Sequence, residues 1–163
     1  MMDAHDLPAR SRRQGSFDLA IPAAQAFDLF TAEGERRWVA GWDPKILSAC
    51  GATQPGAVFL TDHNGEETIW TVIAADRPAG RLSYSRVSPG RRAGTVEVRI
   101  EPVGSGSKIH VAYDMTALGR AGEPAVTGMT DSGFAAMLGE WKRLVEAAID
   151  DQADAPTDRQ CVA

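Results

Sequence analysis

Residues 127–150 are the stretch that most constrains the fold. Phe134, Met137, Leu138, Trp141, Leu144, Val145, Ala148 and Ile149 recur at three- and four-residue steps, the period at which an α-helix gathers apolar side chains on one stripe. Asp131, Glu140, Lys142, Arg143 and Glu146 fall on the opposite face, which should be wet. Such a helix runs on the order of 35 Å, about the width of a small domain. Each large apolar side chain it buries contributes roughly 1.5–3 kcal/mol. The stripe therefore needs an apolar surface of equal length, which the upstream chain must supply.

Upstream, from Ile46 onward, turn residues divide the chain into short pieces. Pro55-Gly56, Asn64-Gly65, Pro78-Ala79-Gly80, Ser88-Pro89-Gly90 and Gly104-Ser105-Gly106 separate strands near 57–62, 67–75, 81–87, 94–101 and 107–116. Asn64-Gly65 is the strongest hairpin signal, because both residues tolerate the positive φ of a type I′ turn. Val96, Val98 and Ile100 alternate with charged residues, and Ile109, Val111, Tyr113 and Met115 alternate with His110, Ala112, Asp114 and Thr116, so one face of the sheet is apolar. Before this meander, Phe17, Leu19 and Ile21 share a face of a strand over 16–21. Pro22 closes that strand and opens a short helix carrying Ala23, Ala26, Phe27 and Phe30. A second short helix is expected from 33 to about 39. The expectation is an α+β domain over 15–150: a curved antiparallel sheet of about six to seven strands gripping a long C-terminal helix, with two short helices after the first strand. Residues 1–14 read as a flexible lead-in and 151–163 as a disordered tail. A strongly twisted sheet curls, and one long helix touches its hollow face along only part of its length, so a cavity is expected between them.

Composition excludes several functions. With 44% hydrophobic and 24% charged residues the 163-residue chain fits one globular domain, and a formal charge of −5 disfavours nucleic acid, which asks for a basic stripe. No apolar run approaches the ~18 residues of a membrane span. Cys50 and Cys161 are the only cysteines, and no disulfide framework is expected; the protein reads as cytoplasmic. No metal site or cofactor motif is visible: there is no HExxH, CxxC pair, Walker loop or GxSxG.

The segments 17–23 and 26–30, Trp38, Trp42-Asp43-Pro44, residues 69–72 and the final helix together resemble the SRPBCC superfamily, the helix-grip fold of birch-pollen-allergen, START lipid-transfer and polyketide cyclase proteins. The resemblance covers about residues 15–150. It implies a pocket for apolar or amphipathic small molecules, in some members with catalysis added, and carries over no catalytic residue.

Strand parity names the residues that would line such a pocket. Trp70, Val72, Leu82, Tyr84, Arg86, Val96, Val98, Val111, Tyr113 and Met115 form the wall, and Phe134, Met137, Leu138 and Trp141 the roof. Each taken alone is ordinary core material; together, aromatic walls with a few polar handles fit a ligand site. Arg86 points into the hollow and would hold a carboxylate or phosphate, or it snorkels to solvent at the rim. His110 and Asp114 share the outward parity and belong to a solvated strand face, and His63 belongs to an exposed turn. Three function classes stand: a carrier- or sensor-type protein binding a small hydrophobic or amphipathic molecule, a cyclase/dehydratase-like enzyme using the same cavity, and an interaction module that docks a protein through Trp38 and Trp42. The expected gate is the glycine-rich link at 119–122. Pairing of two copies as a homodimer is left open.

Overall fold

The structure, a computed structural model, describes residues 7–151. Seven antiparallel strands form one curved sheet in the order β1-β7-β6-β5-β4-β3-β2. They are β1 (Arg10–Leu19), β2 (Lys45–Ile46), β3 (Val58–His63), β4 (Glu66–Asp76), β5 (Arg81–Ser88), β6 (Arg92–Val103) and β7 (Gly106–Ala117). Helix α1 (Ala23–Leu29) and a 3-10 turn (Gly34–Arg37) follow β1, and α2 (Glu123–Thr127) and α3 (Asp131–Asp150) close the chain. The α+β helix-grip architecture is the expected one.

The hairpins form where the turn residues stand. Asn64 (φ 53°) and Gly65 (φ 80°) both take positive φ, as a type I′ turn requires, and set the register Asp62↔Glu67 and His63↔Glu66. The period-2 pattern then sends Leu82, Tyr84, Val96, Val98, Ile100, Ile109, Val111 and Met115 into the core. On α3 the stripe buries Phe134, Leu138, Val145 and Ala148 and leaves Met137, Trp141, Leu144 and Ile149 half-buried against them. The Thr130 hydroxyl caps α3 by accepting from the Gly133 N–H at 3.1 Å.

Four features differ from the expectation. Residues 10–14 are not a flexible lead-in but the first half of β1, pairing with β7 from Arg10↔Thr116 onward. Their sequence has no apolar alternation; the strand is recruited by the open edge of β7 and by Asp114, whose carboxylate takes the Arg10 Nη2 at 2.7 Å and the Arg12 Nε at 2.9 Å. The second short helix shrinks to the 3-10 turn at Gly34–Arg37. The final helical region is broken in two: Gly128 is the C-cap that ends α2, and Thr130 is the N-cap that starts α3. Cys50 is disulfide-bonded, against the expectation of no disulfide, and Cys161 lies outside the described residues. The expected tail beyond Asp151 also lies outside them, as does the expected lead-in before Leu7. Among the described residues no helix is long and apolar enough to cross a membrane.

Candidate functional site

Between the hollow face of the sheet and α3 lies a cavity of about 370 Å³. Of the residues expected to line it, Trp70, Tyr84, Arg86, Val98, Tyr113, Met137 and Trp141 do so, as does Val96. Val72, Leu82, Val111, Met115, Phe134 and Leu138 do not: they are almost fully buried and pack as core. Parity places a side chain on the inner face but does not say where along the strand it stands, and so does not separate a core position from a cavity position. The sequence reading missed Glu35, Trp42, Phe59, Thr61, Glu66, Thr68, Arg92 and Met129. Glu35 and Trp42 come from the loop after α1, which has no period from which to read an inward face. Phe59 and Thr61 on β3 and Glu66 and Thr68 on β4, by contrast, lie on the inward parity, the last two sharing that of Trp70, and could have been read from it. Ala40, Gly41, Asp62 and His63 are exposed and form the mouth. The expected gate at 119–122 contributes nothing to the wall, and Leu118 beside it is held by a 2.7 Å bond from its N–H to the Arg91 carbonyl.

The floor is built by aromatic side chains that use their polar atoms to finish a helix. The end of α1 leaves carbonyls without intrahelical partners. Trp38 Nε1 donates to the Leu29 carbonyl at 2.7 Å, the Tyr84 hydroxyl to that of Phe30 at 2.9 Å, and Trp42 Nε1 to that of Ala32 at 2.7 Å. These three bonds anchor the 3-10 turn and bring Glu35 to the cavity wall. The same bonds turn both tryptophans inward. Trp38 is 5% exposed and packs edge-on to Trp141, while Trp42 is half-buried against Phe59 and Trp70, so the two tryptophans are not exposed together as a docking patch would need. Trp70 Nε1 is likewise occupied, by Thr61 Oγ1 at 2.9 Å.

The charged groups divide into paired and unpaired. Glu66 accepts from Arg92 Nε at 3.1 Å, and although burial pushes its carboxyl up, Ser88 and Arg92 outweigh that and hold it below the usual range. Arg86 lies with its guanidinium 5.3 Å from the centre of the Trp70 ring, and its Nε is buried with no hydrogen-bond partner. Burial, with repulsion from Arg92, lowers its pKa, though an arginine stays charged. Glu35 carries a carboxyl that burial pushes up to about 8, so it is mostly protonated at neutral pH. Burial also raises the Tyr113 phenol, which feels both Arg86 and Glu35. Outside the cavity, His110 Nε2 lies 2.9 Å from Glu101 and Asp114 is held down to about 2 by Arg10 and Arg12, so both belong to the solvated outer face. No cluster of metal-ligating side chains occurs among the described residues.

A curved sheet gripping a long helix over an aromatic cavity with a few unpaired polar groups defines a helix-grip ligand-binding domain. The chain matches the pattern of the family described as "Polyketide cyclase / dehydrase and lipid transport" over residues 12–146, and it belongs to that family, within the SRPBCC superfamily. Among curated proteins no sequence matches it. Among solved structures it is similar to Ara h 8.0201, with 15% identity, TM-score 0.64, and coverage of 87% of this chain and 99% of that one. Norcoclaurine synthase from Thalictrum flavum, solved in complex with dopamine and hydroxybenzaldehyde, shares 13% identity at TM-score 0.62, covering 90% of this chain and 91% of that one. A protein from Thermobifida fusca shares 18% identity at TM-score 0.63, covering 90% and 99%. At such identities the likeness is one of fold.

Proposed function

We propose that this domain binds a small hydrophobic or amphipathic acid in the cavity, as a carrier or sensor, with the acid group held by Arg86. The observation that carries the reading is the buried Arg86 Nε without a partner. An unsatisfied buried donor costs roughly 1–3 kcal/mol, and more when charged. A guanidinium kept at the wall of a cavity at that cost is completed by an acceptor from outside, and a carboxylate or phosphate matches its fork. The rings of Phe59, Trp70, Tyr84 and Trp141 supply the surface for an apolar body. Norcoclaurine synthase, with dopamine and hydroxybenzaldehyde bound, supports a fold that accommodates small aromatic molecules.

A matched pair of fluorescent probes tests the reading. 8-Anilinonaphthalene-1-sulfonate and N-phenyl-1-naphthylamine share an aromatic body, and only the first carries an anion. Arg86→Leu is expected to weaken the sulfonate by about ten-fold or more and to leave the neutral probe within about two-fold. Equal loss of both removes Arg86 as an anion anchor.

A second reading, a cyclase- or dehydratase-like enzyme, is favoured by the raised pKa of Glu35. A carboxyl near 8 in a cavity that Tyr113 and Arg86 also line is suited to moving a proton at a substrate carbonyl. A change in mass of the carried molecule on incubation with excess protein distinguishes this reading from simple carriage.

A further inference from the structure

Glu33 and Glu35 stand on the same short turn. Glu33 is exposed and paired with Arg36 Nε at 3.0 Å, whereas the Glu35 carboxyl faces the cavity with no side-chain hydrogen bond or ion pair among the described residues. Its place follows from the three aromatic donors that clamp the preceding carbonyls of Leu29, Phe30 and Ala32. Arg86 lines the same cavity, yet the two opposite charges are not joined. A purely structural pair would have closed on itself, because leaving two buried ionisable groups apart gives up the attraction that offsets their desolvation.

The other groups facing Glu35 narrow its role. From β5 come Tyr84 and Arg86, from β6 Arg92, from β7 Tyr113, and from the β3–β4 hairpin Asp62, His63 and Glu66. Helix α3 contributes Met137 and Trp141, neither of which titrates. Tyr84 is committed to the Phe30 carbonyl and Arg92 to Glu66, while Asp62 and His63 sit at the exposed mouth. Tyr113 and Arg86 remain inside, and both Glu35 and Arg86 act on the Tyr113 phenol, so the three surround one volume.

We propose that Glu35 is the second polar anchor of this cavity: as a carboxylic acid it donates a hydrogen bond to an oxygen of the ligand, while Arg86 holds the ligand's acid group. The inference rests on the proposed binding reading and narrows the ligand to an apolar acid that carries an accepting oxygen, such as a carbonyl, away from its acid group. Burial keeps the Glu35 proton in place up to a pH of about 8. Above that, the carboxylate loses its donor and repels the ligand's anion, so affinity falls as pH rises.

The test compares 2-naphthoate with 6-acetyl-2-naphthoate, which adds a ketone at the far end, by calorimetric titration of the full chain at about pH 6.5 and about pH 9. At the lower pH the wild type is expected to prefer the ketone acid by about five-fold, the worth of one net hydrogen bond, and to lose that preference at the higher pH. Glu35→Gln, whose amide still donates but does not titrate, should keep the preference at both. Glu35→Leu should lose it at both. Equal binding of the two acids by the wild type at the lower pH overturns the inference while leaving the Arg86 reading intact. A preference that survives in Glu35→Leu, or an unchanged pH dependence in Glu35→Gln, overturns it equally. If neither acid binds while N-phenyl-1-naphthylamine does, the Arg86 reading fails and takes this inference with it.

Discussion

Glu35 gives its own signal in stability, separate from any ligand. Its carboxyl, raised by burial to about 8 from an ordinary 4.5, keeps a proton in the folded state that the unfolded chain has already released. Between those two values the unfolded state binds fewer protons, so stability is lost as pH rises from about 4.5 to about 8 and is flat on either side. Glu35→Gln removes this loss, because an amide does not ionise. In urea titrations the variant is expected to match the wild type near pH 4.5 and to exceed it by up to about 3 kcal/mol at pH 7, less to the extent that cavity water reaches the carboxyl. A gap that does not change with pH would mean that Glu35 titrates as an exposed acid. The two key residues were not equally legible. Arg86 was readable because it shares the parity of Leu82 and Tyr84 on a regular strand. Glu35 was not, since a four-residue 3-10 turn has no repeat to count, and its inward course depends on donors from Trp38, Trp42 and Tyr84.

At the scale of elements, strands are held by partners that their own sequence does not name. The first half of β1 reads as polar, and its place is fixed by β7 and by the Asp114 carboxylate shared between Arg10 and Arg12. Strand β6 depends on Gly94, which stands between Arg86 of β5 and Met115 of β7. A Cβ built there would lie 1.8 Å from the Asp114 carbonyl oxygen, a backbone atom that cannot swing aside. Gly94→Ala is therefore expected to push β6 off β7 and to cost about 3 kcal/mol or more, read as a lower urea midpoint. Because Gly94 pairs with Arg86, the same variant should also weaken the sulfonate probe. An unchanged midpoint would show that the two strands separate freely at that point. The hairpins, by contrast, were legible to within a residue or two, since each turn carries a glycine able to take positive φ, and Asn64-Gly65 adopts the turn its residues favour.

At the scale of the whole molecule, the cavity is a place where the fold stops short of close packing. Filling it should strengthen the protein and remove its proposed role. Val98 lines the cavity from the centre of the sheet and is 2% exposed. Val98→Phe, its ring turned into the empty volume, is expected to raise the thermal midpoint by a few degrees and to abolish uptake of both fluorescent probes. Native mass spectrometry of the wild type should find an apolar acid retained from expression and absent from the variant. A wild type without bound molecule that also refuses the probes would mean that the cavity is not a binding site. The sequence by itself determined the layers: the period-2 strands, the turns between them, and the stripe of α3 that must cover the sheet, because these follow from repeats along the chain. Only the tertiary structure decided which inward residues close into core and which are left around a hollow, which aromatic donors are used up on the carbonyls at and just after the end of α1, and that the Glu35 and Arg86 side chains end unjoined in one cavity. Those outcomes depend on distances between segments far apart in the chain, which no local pattern encodes.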